Sequence, residues 1–212
     1  MTRNILCYGD SLTWGYNAEG PGRHRLEDRW PSVLEAELGQ GFHVIADGLN
    51  GRTTVFEDAM AGCDRHGARL LPTALETHKP LDLVILFLGA NDMKPWTGSS
   101  ALASRFGMER LVEIVRGHPY GFGYAVPKVV IVSPPALCAT DDVEFGEMFA
   151  AIEESGKLAG AFARLAGLVG CAHFDAGSVA KTTPLDGVHL DAENTRAVGR
   201  ALAPVVRSLL AD

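Results

Sequence analysis

The chain is short of cysteine, of basic clusters and of long apolar runs, and each shortage removes a class of protein. Only four cysteines occur in 212 residues, at Cys7, Cys63, Cys138 and Cys171, with no C-x-x-C pair and no histidine at metal-site spacing. A disulfide-stapled secreted domain, a zinc ribbon and a dithiol redox motif are thereby excluded, and reduced thiols remain. Lys and Arg number 19 against 26 Asp and Glu, a formal charge of −7. A general nucleic-acid binder needs a basic face to displace counterions, so neither nucleic acid nor a membrane surface is expected as a partner. No apolar run approaches the roughly 20 residues that span a bilayer. The amino terminus enters a strand at once, without a basic-then-apolar leader. The expectation is a soluble, cytoplasmic protein.

What is present reads as an ordinary globular core. Apolar residues make up 47% and charged residues 21%, and the length suits one domain, 1–212, rather than two. Short apolar strands are expected at 4–8, 42–46, 81–88, 128–132 and 171–174. Between them, helical signals fall at 30–38, 70–78, 101–116 and 143–168, with a last helix starting near Asp191. Pro31 opens the first of these and Gly39 follows its end, the usual start and stop. Asp191 suits an N-cap, and Pro204 is expected to kink or split the last helix. Alternating strands and helices predict an α/β, three-layer α/β/α sandwich on a five-stranded parallel sheet. No repeat or linker marks a second domain. Long polar loops at 16–29, 56–68 and 92–100 are candidates for lids or assembly surfaces.

The chemistry-bearing residues lie just past the carboxyl ends of these strands, which a parallel sheet gathers at one edge. Ser11 follows the first strand on a Gly-Asp-Ser turn, residues 48–54 follow the second, Asn91 and Asp92 the third, and Asp186 and His189 come after the fifth. Acyl transfer needs a nucleophile, a base, an orienter for that base and donors for a developing oxyanion. Ser11 can be the nucleophile and His189 the base, since imidazole both takes and returns a proton near neutral pH. Asp186, three residues earlier, can orient His189; Asp175 and Asp191 are rivals ranked below it. The Ser11 and Gly51 N–H groups and the Asn91 side chain are candidate oxyanion donors.

Each signal has a plainer alternative. Gly-Asp-Ser is common turn chemistry, Asn91-Asp92 suits an Asx turn or cap, and Asp186 to His189 could be a surface turn. Their ordered convergence carries the reading. Trp14 and Trp96 are candidate pocket walls, with Lys94 at the rim, though half-buried packing would also explain the tryptophans. His24 is placed as a solvated loop residue that could line the pocket. No His, Asp and Glu cluster has ligand spacing, so neither a metal nor an organic cofactor is expected.

The blocks Tyr8-Gly9-Asp10-Ser11-Leu12-Thr13-Trp14-Gly15, Gly48-Leu49-Asn50-Gly51-Arg52-Thr53-Thr54, Leu88-Gly89-Ala90-Asn91-Asp92 and Asp186-Gly187-Val188-His189 resemble those of the SGNH hydrolase superfamily, the GDSL esterases and lipases. The resemblance spans nearly the whole chain in the family's order. It implies a flavodoxin-like sheet of order 2-1-3-4-5, a Ser11–His189–Asp186 triad, and an oxyanion hole of Ser11, Gly51 and Asn91. Val132-Ser133-Pro134-Pro135 and Phe174-Asp175-Ala176-Gly177-Ser178 are further similar to the short-chain arylesterase/acyltransferase (perhydrolase) branch. That likeness implies a small-molecule ester substrate, a homo-oligomer, and acyltransfer or perhydrolysis as a side activity. Gly51 stands where transferase-type members carry alanine, which argues against strong transfer. The expected activity is therefore hydrolysis of short acetyl or aryl esters. A carbohydrate acetyl esterase with the same triad is the alternative. A non-catalytic flavodoxin-like binding module is disfavoured, because no phosphate-binding glycine loop follows a strand.

Overall fold

A computed structural model describes residues 2–20 and 22–211. Its five strands are β1 (Arg3–Gly9), β2 (Phe42–Gly48), β3 (Leu83–Phe87), β4 (Lys128–Ser133) and β5 (Ala172–Asp175). All pair in parallel, in the order 2-1-3-4-5 expected from the resemblance. The helices are α1 (Ser11–Trp14), α2 (Trp30–Leu38), α3 (Gly67–His78), α4 (Ala101–Gly117), α5 (Val143–Met148), α6 (Ile152–Gly156), α7 (Leu158–Val169) and α8 (Ala192–Leu210). Among the described residues, no helix is long and apolar enough to cross a membrane.

The pleat sorts the strand side chains into two cores, because successive residues face opposite sides of a sheet. Leu6, Tyr8, Val84, Leu86 and Ile131 point to one side, against Leu71 and Leu75 of α3, Met108 and Leu111 of α4, and Phe162 of α7. Ile5, Cys7, Ile85, Phe87 and Val132 point to the other, against Trp30 and Leu34 of α2 and Val198 and Leu202 of α8. Truncating a fully buried member such as Phe162 would cost about 3–5 kcal/mol. Every residue of β3 is buried, as a strand covered on both faces requires. The edge strands β2 and β5 are only partly covered, unlike the buried strands expected from their apolar sequence.

Three helical expectations change. The segment 143–168 is three helices, not one. Phe149 leaves helical geometry at φ −118° and ψ 37°, and Ala151 at ψ 48°. Ser155 Oγ, which donates to the Ile152 carbonyl at 2.6 Å, accepts the Leu137 N–H at 2.9 Å, tying α6 to the loop after β4. Next, α3 starts at Gly67, earlier than the apolar pattern suggests, and continues through Pro72. Finally, of the kink or split expected at Pro204, the split does not occur, and α8 runs on through it. A proline removes one helical hydrogen bond, and the buried stripes of Leu71 with Leu75 and Leu202 with Val206 outweigh that loss.

The carboxyl ends of β1, β2 and β3 then carry the turns that matter. Gly48 ends β2 so close to α1 that a Cβ there would lie 2.2 Å from the Trp14 backbone nitrogen. Glycine lets the first turn after β1 lie flat on its neighbour.

Candidate active site

Ser11 is the first residue of α1. Its predecessor Asp10 caps that helix, the carboxylate accepting the Leu12 N–H at 2.9 Å, and Gly15 closes it in left-handed geometry. A first-turn N–H has no partner within its own helix, and among the described residues no other group accepts the Ser11 N–H. His189 comes from the turn before α8. Its Nε2 lies 2.9 Å from Ser11 Oγ, across 178 residues of sequence. Its Nδ1 lies 2.7 Å from Asp186 Oδ2.

The Asp186 turn is self-tied. Asp186 Oδ1 accepts the N–H groups of Val188 at 3.0 Å and His189 at 2.9 Å. Gly187, at φ 78°, passes the Cys138 carbonyl where a Cβ would sit 2.5 Å from its oxygen, so no larger residue fits. Burial pushes the Asp186 carboxyl up, but the hydrogen bonds and charge of His189, with the two backbone N–H groups, outweigh it and hold it below the ordinary range. An ionised Asp186 fixes Nδ1 as the proton-bearing nitrogen and leaves Nε2 free to accept from Ser11.

Tyr16 stacks on the His189 ring at 4.0 Å between centroids, and Phe145 meets it edge-on at 6.0 Å. Ser11, His189, Gly51 and Asn91 border one cavity of about 160 Å³. Its other walls include Tyr16, Phe145, Met148 and Phe149. Gly51 sits at φ 79° in a turn, and among the described residues no backbone or side-chain group accepts its N–H. Asn91 Nδ2 donates to Asp10 Oδ2 at 3.2 Å, which leaves its second amide hydrogen unspent. Three donors therefore border the cavity that holds Ser11 Oγ.

Buried charges hold these turns together. Asp92 accepts from the Thr54 N–H at 2.8 Å, the Thr54 hydroxyl at 2.7 Å and the Ser104 hydroxyl at 2.6 Å, joining the Gly51 loop to α4. Burial pushes its carboxyl up to about 6. Asp10 is pushed further, to about 7, by burial and by the charge of Asp92, against the Leu12 and Asn91 hydrogen bonds and the Arg52 charge. Arg52 lies over the Tyr8 ring at 3.9 Å and donates to the carbonyls of Gly9 and Asp47, clamping β1 to β2.

The structure thus gathers Ser11, Asp186, His189, Gly51 and Asn91. It sorts the guessed pocket walls differently. Trp14 does not border the cavity; its ring carries the Arg23 guanidinium at 4.7 Å. Trp96 borders an adjoining groove, with Nε1 donating to Asp58 Oδ1 at 3.1 Å. Lys94 does line the cavity, but it is buried rather than at a rim and pairs with Asp58 at 3.1 Å. His24 is buried, not solvated, and its Nε2 meets the Leu190 carbonyl at 2.9 Å, tethering the residue after His189. Asp175 and Asp191 cap the Gly177 and Asn194 N–H groups instead of orienting His189.

Sequence reasoning missed Tyr16, Met148 and the site-facing roles of Phe145 and Phe149. The phenylalanines were legible only as an apolar helical stripe, because the break after Met148 that turns them to the cavity has no proline or glycine to announce it. Tyr16 has a weak signal in its nearness to Ser11. Among the described residues, no group of three or more His, Cys, Asp and Glu is gathered to hold a metal.

Residues 7–197 match the model of the GDSL-like Lipase/Acylhydrolase family. Solved structures resemble the chain over its full length. A carbohydrate acetylesterase family member from Sinorhizobium meliloti is 58% identical with a TM-score of 0.97, covering 99% of each chain. The aryl esterase of M. smegmatis is 41% identical with a TM-score of 0.93, covering 99% of this chain and 100% of its own. A second carbohydrate acetylesterase from Sinorhizobium meliloti is 39% identical, with a TM-score of 0.93 and the same coverage. No curated protein sequence matches the chain.

Proposed function

Because the chain belongs to the GDSL-like lipase/acylhydrolase family, the SGNH hydrolases, we propose that it is a carboxylic ester hydrolase that removes short acyl groups through an acyl-enzyme on Ser11. The observation that carries this reading is the unbroken relay from Asp186 through His189 to Ser11, at 2.7 and 2.9 Å, in a cavity of about 160 Å³. Ser11 Oγ attacks the ester carbonyl while His189 Nε2 takes its proton. The carbonyl oxygen gains charge and is met by the Ser11 and Gly51 N–H groups and the free Asn91 amide hydrogen. Each such donor is worth on the order of 10²–10³ in rate. His189 then returns the proton to the leaving alkoxide, the C–O bond breaks and the acyl-enzyme remains. Water, deprotonated by His189, attacks that acyl carbon and releases the acid and Ser11. An alcohol or hydrogen peroxide in place of this water would give acyltransfer or perhydrolysis from the same intermediate.

Size supports the short acyl group. Phe145, Met148, Phe149 and the stacked Tyr16 wall a volume suited to an acetyl or slightly longer chain. The alcohol can be a phenol, as for the similar aryl esterase. A second reading, removal of acetyl groups from a carbohydrate, is favoured by the 58% identity to a carbohydrate acetylesterase family member, and needs no change of catalytic residues.

The test is intact mass after incubation with a small fluorophosphonate. Wild type should gain one adduct that Ser11→Ala lacks, and Ser11→Ala should lose nearly all turnover of phenyl acetate while keeping its fold. Wild-type activity in that variant, or an adduct elsewhere, overturns the assignment.

A further inference from the structure

Beside the catalytic cavity runs a second, larger groove of about 460 Å³, and the two share Asn50, Gly51, Lys94 and Met148 as a common wall. A substrate held at Ser11 can therefore extend across that wall into the groove. The cavity of about 160 Å³ is the smaller of the two spaces, and the groove of about 460 Å³ has room for a bulkier alcohol part.

The groove is lined by a cation, Arg65, and by a carboxylate, Glu144, and among the described residues neither is in an ion pair. Arg65 is held in place by its backbone, its carbonyl accepting the Thr53 N–H at 3.0 Å and the Thr53 hydroxyl at 3.3 Å. Its side chain lies against the Gly51 turn: a Cβ at Gly51 would meet Arg65 Nε at 3.6 Å and Cζ at 3.7 Å. The carboxylates nearby in sequence are taken, Asp64 by Arg69 and Asp58 by Lys94, each at 3.1 Å. Among the described residues no carboxylate pairs with Arg65, and its buried Nε has no hydrogen-bond partner. Asn50 Oδ1, on the shared wall, is buried and unpartnered too. A buried polar group without a partner costs about 1–3 kcal/mol, and a ligand in the groove can supply one. Guanidinium suits oxygen acceptors, carboxylate above all. Trp96, fixed by its bond to Asp58, adds a flat apolar wall.

Building on the ester-hydrolase reading, we propose that this groove seats the alcohol part of the substrate, that this alcohol bears oxygen acceptors as hydroxyls or a carboxylate, and that Arg65 is the specificity-determining residue that donates to them. Phenyl acetate has no such oxygens beyond its ester and gains nothing from Arg65. An acetylated hydroxy acid or sugar does.

The experiment compares kcat/KM for phenyl acetate, 4-acetoxybenzoate and 6-O-acetylglucose in wild type, Arg65→Leu and Arg65→Lys, with fluorophosphonate labelling of Ser11 as the control for an assembled site. Arg65→Leu should lower the ratio of an oxygen-bearing acetate to phenyl acetate about tenfold, mainly through KM, a scale typical of one lost polar contact. A fall on 4-acetoxybenzoate that Arg65→Lys partly restores identifies a carboxylate. A fall confined to 6-O-acetylglucose identifies hydroxyls. If both ratios are unmoved, or all three substrates fall together, the assignment of Arg65 is overturned. A wild type that labels at Ser11 and cleaves phenyl acetate with unmoved ratios sinks only the groove. A wild type that neither labels nor cleaves any of the three sinks the hydrolase reading with it.

Discussion

Asn91 Nδ2 donates to Asp10 Oδ2 at 3.2 Å, joining the turn after β3 to the turn after β1. The bond aims the amide that faces the cavity from the residue immediately before Ser11. It makes the proposed nucleophile and one proposed oxyanion donor parts of a single construction, although 81 residues separate Asn91 from Asp10.

Asn91→Ala should lower kcat by about 10²–10³ and leave KM for phenyl acetate nearly unchanged, because the amide is needed chiefly where charge develops. Steady-state kinetics check this. A change confined to KM would make Asn91 a ground-state binding residue only.

Asp10 should leave a pH signature in stability. Burial raises its folded value to about 7 from 3.8, so the folded state holds a proton that the unfolded chain gives up. Its contribution is fully present below 3.8 and is lost as pH rises through about 7. The unfolding free energy of wild type minus that of Asp10→Asn should therefore fall between pH 4 and pH 8. Urea denaturation of both proteins across that range measures the difference, and a flat difference would mean that Asp10 titrates as it does unfolded.

Asp186→Asn keeps the shape but removes the charge that fixes the His189 tautomer. An amide can donate to Nδ1, which leaves the proton on Nε2, facing Ser11. The expected loss in kcat is on the order of 10²–10⁴ with little change in KM. Fluorophosphonate labelling of Ser11 should slow in parallel, and an unchanged labelling rate would remove Asp186 from the relay.

Asp92 is a structural partner of the site, and its removal should show in stability first. Asp92→Ala strands the Thr54 N–H and the Thr54 and Ser104 hydroxyls, for an expected loss of about 2–4 kcal/mol. Asp92→Asn should lose less, since its amide oxygen still accepts. Chemical denaturation at pH 7 distinguishes the two, and equal losses would deny the hydrogen bonds their role.

Much of this protein was legible in its sequence because the informative physics is local. A buried parallel strand such as Leu83–Phe87 is apolar throughout, and the turns at its carboxyl end need glycine, aspartate or asparagine whatever surrounds them. The parallel sheet then sends Ser11, Asn91 and His189 to one edge without further information. Tertiary structure decided what local pattern leaves degenerate. An apolar stripe over 143–168 does not say that the helix breaks after Met148, nor that Phe145 and Phe149 face a cavity, because packing against the site sets that choice. Nor does a lone arginine in a polar loop reveal a missing partner. Arg65 stands out only once Asp58 has been placed on Lys94 and Asp64 on Arg69, and those pairings are set by distance in space, not by position in the chain.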